Sequence, residues 1–358
     1  MSFVGNKGEW SELYAFVKLL STGKLYAADE HVNKINDSYF PIFKILRTNE
    51  TENDTDYVIN SNDGSVSIYV HGNVIKTLKQ KELKDIASYL YKCITEGENR
   101  TFAIEKSEQL MKRLHLKKIV APSTDKTDIA LQIREIYTSI NPIRGFSIKS
   151  ELGYAPTLLN ASSATNFIFK VKGISDDVAK GINSIDTRSK IKDRLLQICQ
   201  LGSLKFKGAK NLNFCANLMM IDSNMNDIVA DILKDYYLSS ISDCKTLIER
   251  IEKRNPLKYP RCGMYEYKFK KLLCAIALGM MPSKVWNGYD EANGGYIIVK
   301  KDGDIVAYHI YNRDKFETYL LNSTKLDHGS SSRHGFASIY VDDDKDMCID
   351  LNMQIRFI

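Results

Sequence analysis

Residues 126–151, KTDIALQIREIYTSINPIRGFSIKSE, read as two strands joined by a turn. Side chains alternate between the two faces of a strand. Asp128, Ala130 and Gln132 therefore share one face of the first strand, and Ser147, Lys149 and Glu151 share one face of the second. If those faces coincide, a carboxylate and an ammonium group stand side by side on a sheet. Such a pair can hold a divalent cation against a phosphate. The same spacing also describes an ordinary half-buried hairpin with a solvated lysine, so the hairpin alone leaves both readings open.

What precedes the hairpin narrows the choice. Residues 7–22, KGEWSELYAFVKLLST, carry Leu13, Phe16, Val17 and Leu20 at the spacing of one helix face, and Gly23 is a natural stop. At ~100° per residue, Glu9 falls near the middle of that apolar stripe and Glu12 at its edge. A carboxylate on the buried side of a helix needs a partner. For Glu9 the alternative is that it lies in the first turn and simply favours the helix N-terminus. Residues 24–76 alternate short apolar runs with turn signals, Asn62-Asp63-Gly64 and His71-Gly72-Asn73 among them, and read as an antiparallel meander. Helices at 79–94 and 104–115 follow.

KKIVAP (117–122), PTLLNAS (156–162), NFIFKV (166–171) and LKFKG (204–208) are further strand candidates, and 174–183 and 187–200 are helical by period. The result is an α/β (α+β) chain with a mixed-sheet core against which residues 7–22 pack. Beyond residue 222 the texture changes: helices at 224–239, 242–253 and 263–280, a hairpin at 296–311 turning at Asp302-Gly303, a short helix at 316–322, and a second hairpin at 336–358. The expected division is a core region, 1–215, and a helical then β-rich region, 216–358. The run Asp342–Asp346 in the last hairpin lacks the glycine and terminal glutamate of an EF-hand, which favours a turn over a metal loop.

Composition removes several classes. With 44% hydrophobic and 26% charged residues the chain is globular. A net charge of +6 permits a nucleic-acid partner without requiring one. Seven scattered cysteines form no CxxC pair and six histidines form no HExxH, which argues against a zinc site and for reduced thiols. There is no Walker A, no GxGxxG after a strand and no GxSxG elbow. The first residues lack the apolar stretch of a signal peptide and no run of 18 apolar residues occurs, so a cytoplasmic location with no membrane span is expected.

Phosphodiester hydrolysis needs a divalent cation to polarise the phosphate and acidify an attacking water. Hard cations such as Mg²⁺ take oxygen ligands, and a lysine can orient the water or stabilise developing negative charge. Asp128, a glutamate of the first helix and Lys149 are groups of those types.

Four segments now acquire a common meaning: NKGEWSELYAFVKLL (6–20), KTDI…GFSIKS (126–150), PTLLNASSATNFIF (156–169) and SRHGF…LNMQIRF (332–357). Together, in this order, they resemble the HpaII-type restriction endonucleases over essentially the whole chain. The resemblance implies a PD-(D/E)XK nuclease core. It implies a type II enzyme that cuts double-stranded DNA at CCGG with Mg²⁺, Mn²⁺ substituting. It also implies a cognate methyltransferase acting on the same site. Asp128 stands at the superfamily's aspartate and Lys149 at its lysine, but Ser147 stands where (D/E)xK has a carboxylate. The missing ligand is expected from Glu12, Glu9 or Glu151, in that order.

For DNA contact the candidates are Ser332, Arg333 and His334 on a polar stretch, and Gln354 and Arg356 on one face of the last strand. Arginine and glutamine are the types that read guanine and adenine edges in the major groove. Ser150 in the second strand is a further candidate, and Thr157, Asn160, Thr165 and Asn166 follow that strand closely, where they could meet phosphates or the minor groove or simply cap a helix. A palindromic site suits a two-fold homodimer, with a monomer cutting each strand in turn as the alternative. A structure-specific repair or recombination nuclease and a catalytically inactive DNA-binding protein are the rival readings.

Overall fold

A computed structural model describes residues 3–47, 55–120, 127–135 and 139–358. Lys126, residues 136–138 of the hairpin and the last two residues of KKIVAP lie outside the described residues. The chain divides into two compact units, Met1–Pro156 with Asp290–Tyr319, and Thr157–Tyr289 with Leu320–Ile358. The division thus falls elsewhere than at 215/216. Residues 157–215 fold with the C-terminal unit, while the hairpin near 296–311 joins the sheet of the first.

The first unit is built on a nine-stranded mixed sheet. In spatial order its strands are Lys24–Ala28, Ile305–His309, Gly295–Val299, Ile143–Ser150, Ile129–Ile133, Lys34–Arg47, Thr55–Asn60, Ser65–Val70 and Asn73–Lys79. Only two neighbouring pairs are parallel: Gly295–Val299 with Ile143–Ser150, and Ile305–His309 with Lys24–Ala28. The 14-residue strand Lys34–Arg47 pairs through its first half with Lys24–Ala28 and through its second half with Thr55–Asn60 and Ile129–Ile133. That double use closes six of the strands into a ring. The meander expected over 24–76 is present, and so is the 296–311 hairpin. Residues 117–120 form no strand.

Helix Lys7–Thr22 forms because both of its ends are capped. Asn6 and Glu9 make a reciprocal capping box, and Gly23 takes φ 63°, donating its N–H to Leu19 O at 2.8 Å. The helix buries Trp10, Leu13, Phe16, Val17 and Leu20. Each such side chain is worth roughly 1.5–3 kcal/mol when removed from water. Leu83, Ala87, Leu90 and Ile94 line the buried face of helix Gln80–Glu96, which packs on the first helix. Phe16 meets Tyr57 edge to face at 4.8 Å. These residues belong to one core with Ile129, Leu131, Phe146 and Ile148 of the hairpin, so the helix is held over the hairpin's apolar face.

The second unit has two antiparallel sheets. One runs Ser203–Ala209, Asn166–Lys172, Met347–Asn352, Ile339–Val341; the other runs Thr157–Leu159, Gln354–Phe357, Thr324–Asp327. Residues 336–358, expected as one hairpin, split at Met353. That residue is buried and gives its N–H to Thr165 O at 2.9 Å. The strand before it therefore ends in one sheet and the strand after it enters the other. Helices Met225–Leu238, Cys244–Arg254 and Met264–Leu278 lie close to their expected spans. Leu212–Ile221 is a further helix that the periodicity reading missed, and Asn211 caps it by accepting from Phe214 N at 3.0 Å.

The Asp342–Asp346 run is a turn, closed by Asp342 N–H to Asp346 O at 3.0 Å. The Lys207 ammonium donates to Asp342, Asp344 and Asp346 at 2.6, 2.7 and 3.3 Å, and Lys170 also pairs with Asp346. Two ammonium groups thus offset most of the charge of these three carboxylates. Among the described residues no helix is long and apolar enough to cross a membrane.

Candidate active site

The hairpin register puts Asp128 opposite Ser147. Asp128 N–H donates to Phe146 O at 3.0 Å, Ile129 pairs with Phe146, and Ala130 with Gly145. The Asp128 carboxylate is fixed by two donors on one oxygen: Ser147 Oγ at 3.1 Å and the Ile148 N–H at 2.6 Å. Lys149 follows on the same strand, near its end. The strand is clamped to its parallel neighbour by the pairs Ser147–Tyr296 and Lys149–Ile298. That neighbour begins at Gly295, where φ is 124° and a Cβ would lie 2.0 Å from the Tyr308 carbonyl oxygen. Only glycine allows the chain to enter the sheet there.

The first helix is pinned to the same strand by a polar contact. Ser150 Oγ donates to Ser11 Oγ at 2.8 Å, and Ser11 in turn donates to Lys7 O at 2.6 Å. Glu12 is the next residue of the helix. It lines a cavity of about 580 Å³ together with Lys149, Ser150, Lys7, Asn99 and Arg100. Burial pushes the Glu12 carboxyl up to about 8; the Asp128 charge adds to the rise, Lys149 and Arg47 oppose it, and Glu9 adds slightly. Among the described residues Glu12 makes no hydrogen bond or ion pair, and neither does the Lys149 ammonium.

The three candidate ligands for the missing carboxylate separate on this geometry. Glu9 is occupied: its Oε2 accepts from Asn6 N–H at 2.6 Å in the capping box. Of the two readings open for Glu9, the structure has the first-turn one rather than the one drawn from the helical wheel. Glu151 lies past the strand end, where the alternation stops, and accepts from the Lys301 N–H at 3.3 Å. It does not line the cavity. Glu12 alone of the three is both unpaired and under the influence of Asp128 and Lys149. An unpaired, half-buried Glu12 whose carboxyl is raised by burial and by the Asp128 charge gives, with Asp128, two of the oxygen donors that Mg²⁺ favours. The residues fit the ion.

Arg47 belongs to the surroundings of this site and escaped the sequence reading. Its guanidinium donates to Lys118 O at 3.1 Å and Ile119 O at 2.5 Å, lies 5.3 Å from the Phe16 ring centroid, and lowers the Glu12 pKa. It ends the apolar run YFPIFKILR, but no spacing rule connects residue 47 with residue 12. Ser150, expected at DNA, spends its hydroxyl on Ser11 and on the Leu152 N–H at 3.1 Å.

In the second unit Gln354 and Arg356 alternate with buried Ile355 and Phe357, as the sequence spacing requires. Arg356 stands in register with Thr157 on one side and Lys325 on the other, so the three share a face, and it pairs with Asp327 at 3.3 Å. Ser331–His334 form a single helical turn capped by Ser330 and closed by Gly335. Ser332 and Arg333 on this turn are exposed, as is Asn160 after its strand. Asn166 has a different task from the expected contact. It is fully buried, and its Nδ2 donates to the carbonyls of His334 and Gly335 at 2.9 and 3.3 Å while its Oδ1 accepts from Asn352 at 2.7 Å. Thr165 is buried in the same network. These residues hold the Ser331–His334 turn from behind.

A helix carboxylate set beside a strand aspartate and lysine suits a hydrolase of phosphate esters, and the comparisons make the class specific. Residues 6–357 match the family of HpaII restriction endonucleases, and the chain belongs to it: it is a type II site-specific deoxyribonuclease, an enzyme class that acts on double-stranded DNA. The Type II restriction enzyme HpaII of Haemophilus parainfluenzae is 40% identical over 361 residues, with 99% of each chain covered. A shorter similarity, 31% identical over 113 residues and 31% of each chain, is to the DNA-directed RNA polymerase subunit alpha of Helicobacter hepaticus. It covers too little of either chain to carry an argument. No solved structure matches the chain.

Proposed function

We propose that this endonuclease is a PD-(D/E)XK enzyme that cuts CCGG in double-stranded DNA, in the cytoplasm, with Mg²⁺ and with Mn²⁺ as a substitute. The observation that carries the reading is Glu12. It is an unpaired carboxylate from the first helix, under the charges of Asp128 and Lys149, in a chain whose strand has Ser147 where a ligand is missing. In this reading Glu12 and Asp128 would hold the cation, and Ser147 Oγ and the Ile148 N–H fix the Asp128 carboxylate through its Oδ2. The bound cation supplies Lewis acidity to the scissile phosphate and lowers the pKa of water. Lys149 orients the attacking water and stabilises charge developing on the phosphate oxygens. Arg47 steadies the ionised form of Glu12 through its charge.

Sequence reading is assigned to the second unit. Arg356 and Gln354 are of the types that recognise guanine and neighbouring bases, and Ser332, Arg333 and His334 stand on a turn whose backbone is fixed by Asn166. Thr157 shares the Arg356 face and Asn160 is exposed beyond it, both suited to sugar–phosphate contact. A palindromic target is read by a two-fold homodimer, and a methyltransferase of the same specificity would protect the host sites.

The test is digestion of plasmid DNA of known sequence with Mg²⁺, followed by sequencing of the fragment ends. Discrete fragments that all end within CCGG support the reading. Discrete fragments at another site would overturn the specificity alone. Cleavage at branches or ends without sequence preference, or binding without cleavage, would overturn the reading as a whole.

A further inference from the structure

The second unit contains a cavity of about 590 Å³ that the reading above does not use. It is walled by the start of helix Lys190–Leu201, by the end of helix Met225–Leu238 with the turn after it, and by residues 328–332. None of the residues lining it is acidic, and none is asparagine or glutamine. Its chemistry is cationic and hydroxylic: Arg188, Lys190 and Lys192, seven serines, and the aromatic pair Tyr236 and Tyr237 with His328.

The cations are not equivalent. Lys190 is already paired with Asp186 at 2.8 Å. Lys192 donates to Ser240 Oγ at 3.0 Å and, among the described residues, has no carboxylate partner; Arg188 has none either. Two of the cations lining the cavity therefore have no carboxylate paired to them among the described residues. The Tyr236 hydroxyl also makes no hydrogen bond among the described residues, and burial together with the Asp327 charge keeps it protonated and able to donate. His328 lies over Tyr237, ring centroids 6.4 Å apart and planes 29° apart.

We propose that this cavity seats a phosphodiester of the DNA strand, with Arg188 and Lys192 as the phosphate cations and the serine and Tyr236 hydroxyls as neutral donors. The proposal rests on the restriction-enzyme reading. The lining has no carboxylate or amide oxygen, the side-chain acceptors that pair with the amino groups of cytosine and adenine. The side chains here offer cations and hydroxyls, which are the groups that phosphate oxygens take up. Ser332 is part of the wall and Arg333 is the next residue, so a strand seated here passes directly beside the turn assigned to recognition. The cavity then fixes the register of the DNA, and the turn reads it.

The test uses the full chain carrying Lys149→Ala, so that DNA stays intact, and two short duplexes, one with CCGG and one without. Affinity is measured over a range of salt concentrations. Arg188→Ala with Lys192→Ala is expected to weaken both duplexes by the same factor and to lower the slope of log K against log salt by roughly 0.9 for each phosphate lost. Ser240→Glu, which sets a carboxylate beside Lys192, is expected to do the same, and melting temperatures equal to the parent's show that the variants are folded. Unchanged affinity and slope in both folded variants would overturn the proposal and leave the restriction reading standing. A loss confined to the CCGG duplex would overturn it by making the cavity a base reader. A parent that binds neither duplex would sink both. A nucleoside monophosphate forms the second arm. If it binds through Arg188 and Lys192 more tightly than the duplexes do, the cavity serves free nucleotides and the proposal fails.

Discussion

Ser147 Oγ donates to Asp128 Oδ2 at 3.1 Å, across the two strands of the hairpin. In the proposed reading, the residue at the (D/E)xK carboxylate position thus touches the aspartate that would hold the cation. A carboxylate in its place would set a second negative charge against Asp128. A hydroxyl instead orients it, together with the Ile148 N–H at 2.6 Å.

Ser147→Ala removes one of those two donors and leaves the backbone one. A hydrogen bond to a charged acceptor is worth about 1.5–3 kcal/mol, so cleavage should slow by about tenfold or more if the loss is felt in the transition state. DNA affinity without metal should stay at the parental value. Single-turnover rates and binding isotherms measured side by side check both halves.

Glu12→Gln should separate stability from activity. The folded carboxyl, pushed up to about 8, lies above its unfolded value of 4.5, so its contribution to stability is complete below pH 4.5 and is lost as pH rises through 8. The metal-free parent should therefore lose melting temperature relative to Glu12→Gln between those limits. Mg²⁺ should restore the parent and do little for the variant. Parallel thermal melts at pH 5 and 8, with EDTA and with Mg²⁺, are the check.

His309 carries the opposite sign. It is fully buried, neither ring nitrogen has a hydrogen-bond partner among the described residues, and Phe40, Tyr311 and Phe146 surround it at 4.6, 4.9 and 6.3 Å. Burial lowers its pKa from 6.5 to about 4, with Glu135 and Arg144 acting in opposite directions. A depressed histidine gives stability that is complete above pH 6.5 and lost as pH falls through 4, worth roughly 3 kcal/mol in all. His309→Phe should flatten the fall in stability over that window, as read by urea denaturation at pH 7.5 and pH 5.

Asn166→Ala should act on the Ser331–His334 turn without touching DNA. It leaves the His334 and Gly335 carbonyls without the amide donor they now have. Losing a buried hydrogen-bond partner costs about 1–3 kcal/mol. The expected result is that loss of stability together with weaker discrimination between CCGG and single-base variants, measured by competition binding in a Lys149→Ala background.

How much of this was legible in the sequence depends on range. The capped first helix, the meander, the hairpin and the alternation of Gln354 and Arg356 are local patterns of period 3.6 or 2, and the structure has them. The split at Met353 was hidden because it is set by the N–H of that residue finding Thr165 O, nearly two hundred positions earlier. A helical wheel could not rank Glu9 and Glu12, since the capping box with Asn6 occupies Glu9, while the shared core and the Ser11–Ser150 contact hold the helix that carries Glu12 on the strand that carries Lys149. Arg47 and Lys207 were invisible for the same reason: each acts on groups brought to it by folding.

In the proposed mechanism the first helix supplies, through Glu12, the carboxylate that the strand with Ser147 and Lys149 lacks. The direct measurement is the rate of Mg²⁺-dependent cleavage of a CCGG duplex by Glu12→Gln, Asp128→Ala and Lys149→Ala, with Glu9→Gln and Glu151→Gln as companions. The first three should lose cleavage while still binding the duplex, and the two companions should keep cutting within a few-fold of the parent. Parental cleavage by Glu12→Gln, or loss of cleavage by Glu151→Gln instead, would contradict the mechanism.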